Sequence, residues 1–194
     1  MTEGAAGGLA YEDLVPGWRR TFPPRTVSRE DIVRFAREWD PQPFHLDEQA
    51  ARRTHFGGLV ASGWHTACLV MRIVVDGLLE QSTSMGSPGI EKLEWLRPVR
   101  PDDPLTLTLE VLEARPSRSK PDRGSVKFGY VLVNGAGETV FTLAAWVIFA
   151  RRAPGGTCPA ASTCTGTRAS RPPRPGAEAS SSYTAMRRPA AESR

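Results

Sequence analysis

A run of apolar residues between positions 62 and 79 constrains the fold of this chain more than any other feature of the sequence. Apolar side chains would occupy nearly every side of a helix formed by this run, in which Arg72 and Asp76 are charged interruptions. A helix that is apolar all round is stable only when other elements cover it. Its most apolar stretch, residues 69–79, contains both charged residues and is too short to span a bilayer. It therefore predicts a helix in the middle of a domain.

Alternating patterns later in the chain predict strands. Residues 105–112 alternate apolar and polar side chains, which is the period of a strand with one buried face. Residues 125–133 and 138–150 flank the sequence Asn-Gly-Ala-Gly at 134–137, a strong signal for a hairpin turn. Further strands are predicted for residues 18–27, where two prolines weaken the pattern, and for residues 89–99. We therefore predict an α+β fold in which an antiparallel sheet wraps around the long helix.

An amphipathic helix is predicted for residues 28–39. Ser28 is a typical N-cap, and acidic residues follow in the first turn, where they suit the helix dipole. Apolar residues then recur at helical spacing. Because Pro41 disfavours helical geometry for the residue before it, this helix should end near Asp40. A second, short helix is predicted for residues 47–53.

The two ends of the chain differ from the rest in composition. Residues 151–194 hold eight of the 25 basic residues and six prolines, but no Val, Ile, Leu, Phe or Trp. Such a segment cannot bury enough apolar surface to offset its ordering entropy. We predict a flexible start at residues 1–10, a folded domain at 11–151 and a disordered tail at 152–194. The composition of the tail also fits GC-rich DNA translated in a wrong reading frame.

Charge and cysteine content argue against several classes of protein. The formal net charge of +4 comes from the tail, and residues 1–150 have a slight acidic excess, so no nucleic-acid partner is expected. Three cysteines without paired spacing form neither a disulfide framework nor a zinc site. The first residues lack the basic and apolar regions of a signal peptide. We expect a cytoplasmic protein that does not bind a membrane.

The sequence Asp40-Pro41-Gln42-Pro43-Phe44-His45 is the strongest candidate for a catalytic segment. Its two prolines stiffen the backbone, so they hold a carboxylate and an imidazole at a set separation, as acid–base chemistry requires. Asp40 follows a helix C-terminus, where the dipole disfavours negative charge, and we expect this to make its carboxylate more basic. The alternative is that Asp40 only ends the helix and that His45 is a packed loop residue.

A glycine-containing segment, residues 56–65, leads into the apolar helix. The first amides of a helix have no partner within it and carry partial positive charge. Because Gly63 has no Cβ, a substrate oxygen can approach its backbone closely. We therefore predict an oxyanion hole at the Gly63 amide, which would stabilise a substrate carbonyl oxygen as it gains charge. Packing is the alternative reason for a glycine at this position.

Together, the two segments resemble the MaoC-like dehydratases, the R-specific enoyl-CoA hydratases. The residues that carry the resemblance are Asp-Pro-Gln-Pro-Phe-His-Leu-Asp-Glu at 40–48 and Phe-Gly-Gly-Leu-Val-Ala-Ser-Gly at 56–63. The family signature is Asp-x-Asn-Pro-x-His, followed by a glycine-rich Ala-His-Gly helix start. The resemblance covers about residues 11–151. It implies a hot-dog fold, a homodimer with acyl thioester sites near the subunit interface, no cofactor, and a place in fatty acid metabolism.

The resemblance also implies roles for individual residues. Asp40 and His45 match the catalytic pair, which activates one water for syn addition across a trans-2-enoyl thioester and protonates C2. Gly63 matches the glycine whose amide holds the thioester oxygen. Gln42 stands where the family has asparagine, and Ser62 stands where it has a second histidine. The residues expected to bind substrate are Gln42, Ser62, Trp64 and His65.

Two further groups of residues are candidates for sites. The histidines at 45, 55 and 65 lack the spacing of metal ligands, so no metal is expected. Basic residues between 115 and 124 predict either a solvated loop or a surface that attracts the phosphates of coenzyme A. These basic residues are Arg115, Arg118, Lys120 and Arg123.

Three functions remain open on the sequence alone. The first is reversible hydration of an enoyl thioester, carried by coenzyme A or by an acyl carrier protein. The second is thioester hydrolysis, a reaction of other hot-dog proteins, in which Asp40 and His45 would direct water to the carbonyl carbon. The third is a non-catalytic subunit that binds acyl thioesters or a partner, which the departures at Gln42 and Ser62 suggest.

Overall fold

The computed structural model describes residues 8–152, which form one five-stranded sheet and four helices. The helices are α1 (Arg29–Trp39), α2 (Pro43–Leu46), α3 (Glu48–Arg52) and α4 (Gly63–Gly77). The strands are β1 (Arg19–Thr21), β2 (Gly89–Trp95), β3 (Thr106–Pro116), β4 (Arg123–Val133) and β5 (Thr139–Ala150). Short 3₁₀ turns lie at Tyr11–Asp13 and Leu79–Gln81.

The sheet has the strand order β1-β3-β4-β5-β2, and every neighbouring pair is antiparallel. Alternate side chains of the central strands point to its inner face and are buried, as a period of two requires. Buried residues on this face include Leu107, Leu109, Val111, Phe128 and Phe149. The β4–β5 hairpin turns at the expected place, because the amide of Asn134 donates to the carbonyl of Glu138 at 2.9 Å. The predicted antiparallel sheet around a long helix is confirmed.

The long helix α4 packs one face into the core and leaves the opposite face uncovered within the chain. The buried residues are Thr66, Val70, Ile73 and Val74. The exposed apolar residues on the other side are Trp64, Cys68 and Met71. The sequence predicted a helix covered on all sides, whereas residues 8–152 of a single chain cover only part of it. None of the helices in this part of the chain is long and apolar enough to cross a bilayer.

Helix α1 begins and ends where the sequence indicates. The hydroxyl of Ser28 accepts a hydrogen bond from the amide of Asp31 at 3.1 Å, which makes Ser28 the N-cap. Ile32 and Ala36 bury the inner face of the helix. Asp40 is the C-cap and has left helical geometry, because Pro41 follows it. The end of α1 therefore fixes the position of the Asp40 backbone.

Several elements differ from the predictions in their limits, and β2 ends at Trp95 rather than at residue 99. Strand β1 has only three residues, because the prolines at 23 and 24 cannot donate to a ladder, and Arg25 makes an isolated bridge to Leu105. Strands β3 and β4 extend into the predicted loop at 115–124. The segment around His45 contains one helical turn, α2, with Pro43 at its first position, where a missing amide hydrogen costs nothing.

Residues near both ends of the described segment form hydrogen bonds with the rest of the domain. The amide of Leu9 donates to the carbonyl of Gln81 at 2.9 Å, and Ala10 is buried, so the fold begins within the predicted flexible start at 1–10. The guanidinium of Arg152 donates to both carboxylate oxygens of Asp13, at 2.9 and 2.6 Å. The remainder of the predicted tail, residues 153–194, lies outside the described residues, as do residues 1–7.

Candidate active site

A cleft of about 600 Å³ opens between α2, the N-terminus of α4 and the segment that follows β2. The sequence-predicted residues in its lining are Asp40, Gln42, His45, Ser62, Gly63 and Trp64. Six of the seven predicted site residues are thus brought together, although up to 24 positions separate them in the sequence. His65 is the exception.

Asp40 and His45 face each other in this cleft. The end of α1 places Asp40 and the single turn α2 places His45, so that Asp40 Oδ2 lies 3.3 Å from His45 Nε2. The other ring nitrogen, Nδ1, lies 2.7 Å from the carbonyl oxygen of Val60. A carbonyl can only accept, so Nδ1 carries the hydrogen and Nε2 of the neutral ring is an acceptor. Asp40 Oδ2 and His45 Nε2 can therefore both accept hydrogen bonds from one water molecule and take up its proton.

The carboxylate of Asp40 is held by two hydrogen bonds. The hydroxyl of Ser62 donates to Oδ2 at 2.7 Å, and the side-chain amide of Gln42 donates to Oδ1 at 2.8 Å. Burial raises the pKa of Asp40, but these two hydrogen bonds and the neighbouring His45 outweigh it, so the pKa lies below its ordinary value. The expectation that the helix dipole makes Asp40 more basic is therefore wrong, because donors outside α1 stabilise its charged form.

Gln42 and Ser62, the two departures from the family pattern, both donate to Asp40. The extra methylene of Gln42 does not prevent its amide from reaching Oδ1. Ser62 also caps α4, because its oxygen accepts a hydrogen bond from the amide of Trp64 at 3.2 Å. Their polar atoms therefore hold the carboxylate, in addition to lining the cleft.

Gly63 is the first residue of α4, and within residues 8–152 no hydrogen bond uses its amide. The amide is therefore available to an acceptor, as the first amides of a helix generally are. A Cβ at this position would lie 2.7 Å from the indole of Trp95, so packing, the alternative reason given above, does require a glycine here, while the approach of a substrate to its amide stays a prediction.

Trp95, at the end of β2, is a residue of the cleft that sequence reasoning missed. Its Nε1–H donates to the carbonyl of Gly63 at 2.8 Å, and its ring meets the ring of Trp64 edge to face, with centroids 5.3 Å apart. No local pattern marks it, because Trp95 follows Gly63 by 32 positions.

His65 lies against α1 and is not part of the cleft lining. Successive residues of a helix point about 100° apart, so His65 turns away from the direction of Trp64. Its ring stacks on Phe35 with centroids 4.6 Å apart, and its buried Nδ1 has no hydrogen-bond partner among the described residues. Burial lowers the pKa of His65; the charge of Arg34 lowers it further, and the charge of Asp31 raises it by less than burial lowers it. The predicted contact between His65 and substrate is therefore not supported by its position.

The remaining histidine and two of the basic residues at 115–124 lie in two different clefts. His55 lines the cleft, whereas the basic residues Arg115 and Arg118 line a separate cleft with Trp146. Among residues 8–152, no group of three or more His, Cys, Asp or Glu side chains is arranged to hold a metal ion.

Comparison with known proteins places the chain in a family. Residues 14–131 match the family described as MaoC like domain. The structure of the MaoC-like dehydratase from Rhodospirillum rubrum is 43% identical, with a TM-score of 0.68, and the match covers 75% of this chain and 99% of that one. This structural similarity agrees with the expected hot-dog fold.

Two curated proteins are also similar to the chain. The 3-hydroxybutyryl-CoA dehydratase of Methylorubrum extorquens is 32% identical over 117 residues, which cover 58% of this chain and 69% of that protein. The uncharacterized protein YdeM of Bacillus subtilis is 34% identical over 94 residues, which cover 48% of this chain and 67% of that protein. The domain match, the shared fold and these sequence identities agree, and the chain belongs to the MaoC-like dehydratase family.

Proposed function

We propose that this protein catalyses the reversible hydration of a trans-2-enoyl thioester to the R-3-hydroxyacyl thioester. The observation that carries the proposal is the 3.3 Å approach of Asp40 Oδ2 to His45 Nε2 in a cleft that also exposes the amide of Gly63. Asp40 is ionised at neutral pH, where its lowered pKa favours the carboxylate further, and Nε2 is the acceptor of the neutral form of the His45 ring because Nδ1 faces the carbonyl of Val60. The pair is therefore ready to accept a proton from water.

In the proposed reaction the Asp40–His45 pair acts first as a base and then as an acid, and the Gly63 amide stabilises the charge that develops in between. The water oxygen forms a bond to C3 while the proton that it loses passes to the Asp40–His45 pair. The electrons of the double bond move toward the thioester, and the amide of Gly63 donates to the carbonyl oxygen as it gains charge. The pair then delivers a proton to C2, so that the elements of one water are added and the enzyme is regenerated. Dehydration is the same sequence in reverse.

The contacts of Gln42 and Ser62 support an active enzyme over a non-catalytic subunit. Both side chains donate to Asp40, at 2.8 and 2.7 Å, so the two departures from the family pattern retain a hydrogen-bonded carboxylate. A partly buried carboxylate needs donors whatever its role, but these two also favour the ionised form of Asp40, which proton abstraction from water requires. The carrier of the acyl chain is either coenzyme A or an acyl carrier protein.

We further propose a second copy of the chain as a partner. Strand β2 lies at an edge of the sheet and, within residues 8–152, pairs only with β5. Exposed apolar side chains accompany this edge and the open face of α4, among them Ile90, Trp64 and Met71. Unpaired edges and contiguous apolar surfaces are where another chain adds. Light scattering should give the mass of a dimer for the wild type and of a monomer for Met71→Lys; a monomeric wild type would contradict the proposal.

The test of the reaction is an assay with crotonyl-CoA. Loss of the enoyl absorbance without release of a free thiol indicates hydration, whereas free thiol indicates thioester hydrolysis. Asp40→Asn and His45→Ala should each reduce hydration by about 10²–10⁴-fold, the usual contribution of a general acid or base. If the wild type binds a panel of enoyl thioesters but is as inert as both variants, the protein is a binding subunit. A cytoplasmic location and a role in fatty acid metabolism stay predictions.

A further inference from the structure

A continuous chain of hydrogen bonds joins the indole of Trp95 to the carboxylate of Asp40. Trp95 Nε1–H donates to the carbonyl of Gly63 at 2.8 Å. The peptide group that contains this carbonyl also contains the amide of Trp64, which donates to Ser62 Oγ at 3.2 Å. The hydroxyl of Ser62 in turn donates to Asp40 Oδ2 at 2.7 Å. Every step points in the same direction, from the edge strand β2 toward the carboxylate.

We propose that Trp95 is a positioning residue that acts on Asp40 through the Gly63–Trp64 peptide and Ser62; the catalytic meaning of this role rests on the hydration proposed above. Donation to a peptide oxygen polarises the peptide and makes its N–H a stronger donor. Hydrogen bonds in a chain strengthen one another in this way. Trp95 therefore strengthens the hydrogen bond from Ser62 that stabilises the ionised form of Asp40.

The packing around Trp95 fixes the direction of its N–H. The ring covers the Cα of Gly63, where a Cβ would lie only 2.7 Å from the indole, and it meets the Trp64 ring at an angle of 76°. These contacts and the hydrogen bond to Gly63 orient the indole, although 46% of the residue is exposed. The indole of Trp95 can therefore occupy this position only because residue 63 is a glycine.

The variant that tests the proposal is Trp95→Phe, which keeps an aromatic side chain beside Gly63 and removes the N–H donor together with part of the indole ring system. We expect the pKa of the Asp40 carboxyl, followed by ¹³C NMR, to rise. The kcat for hydration should fall by about two- to tenfold, the factor associated with one neutral hydrogen bond, with KM unchanged. The matched control is Trp146→Phe, because Trp146 also donates its indole hydrogen, to Glu91, but lines a different cleft.

A double-mutant cycle shows whether Trp95 acts through Ser62. In a Ser62→Ala background, Trp95→Phe should have no further effect on the Asp40 pKa, because the route is already broken. An equal effect in both backgrounds, or an Asp40 pKa that does not change in Trp95→Phe, would overturn the proposal. The NMR measurement requires no turnover. If the wild type hydrates no enoyl thioester, the proposed function is refuted. The difference in the Asp40 pKa between the wild type and Trp95→Phe still decides whether Trp95 is a positioning residue. Should Trp95→Phe not fold, the wild type serves instead: its Trp95 indole N–H resonance should follow the titration of Asp40.

Discussion

Replacement of Ser62 by alanine is the perturbation with the clearest expected consequences, because one buried hydroxyl makes two hydrogen bonds. It accepts from the amide of Trp64 as the N-cap of α4, and it donates to Asp40 Oδ2. Loss of a serine cap costs about 1 kcal/mol. Loss of a donor to a charged group costs about 1.5–3 kcal/mol. We take the lower end, because Asp40 retains the hydrogen bond from Gln42 and its side chain is 20% exposed to water.

The free energy of unfolding should therefore fall by about 2.5 kcal/mol at neutral pH, and the deficit should depend on pH. The folded pKa of Asp40 lies below its unfolded value of about 3.9, so its charge stabilises the fold above that pH. This stabilisation is lost as the pH falls through the folded pKa. Because Ser62→Ala weakens this contribution, the deficit should shrink toward about 1 kcal/mol, the capping part, as Asp40 becomes protonated.

Urea unfolding of wild type and variant over a series of pH values measures this deficit. Ser28→Ala is the matched control for activity, because Ser28 caps α1 in the same way at 3.1 Å but lies outside the cleft. Both variants should lose capping energy, but only Ser62→Ala should move the acid limb of the kcat/KM profile to higher pH. A deficit that is the same at every pH would refute the view that Ser62 stabilises the charge of Asp40.

Three further predictions concern residues of or near the site. Burial lowers the folded pKa of His65, so the unfolded state takes up a proton first as the pH falls below the unfolded pKa of about 6.5, and the fold loses stability. His65→Phe should therefore lose less thermal stability than the wild type between pH 7 and pH 5. Equal losses in both proteins would contradict this. Gly63→Ala should displace the indole of Trp95, lower the stability by about 1–3 kcal/mol and shift the tryptophan fluorescence, and an unchanged spectrum would argue against the close packing. Gln42→Leu should raise the pKa of Asp40 by removing one donor, and an unshifted acid limb in the pH–rate profile would show that this donor has no effect.

Features that depend on neighbouring residues could be predicted from the sequence. The apolar run at 62–79 indicated α4, the capping serine and the proline after Asp40 indicated the limits of α1, and alternation indicated the long strands. The stiff segment from Asp40 to His45 could also be identified, because its prolines restrict the backbone locally. These predictions succeeded because the hydrophobic periods of helices and strands appear within short stretches of consecutive residues.

Features that depend on residues distant in the chain could not be predicted. The lowered pKa of Asp40 requires Ser62, which follows it by 22 positions, so the local dipole argument gave the wrong sign. The carbonyl of Val60 that sets the tautomer of His45 carries no side-chain signal. Trp95 reaches the site only because β2 ends beside the start of α4. The direction of His65 was also undetermined, because the sequence does not show which side of α4 faces α1.

The most direct test of the account is a crystal structure of the protein with an unreactive analogue of an enoyl thioester bound. We predict that the thioester oxygen lies about 3 Å from the Gly63 amide nitrogen, with one water between Asp40 Oδ2 and His45 Nε2 and facing C3. An analogue whose carbonyl makes no contact with that amide, or whose C3 is out of reach of a water on the Asp40–His45 pair, would contradict the account.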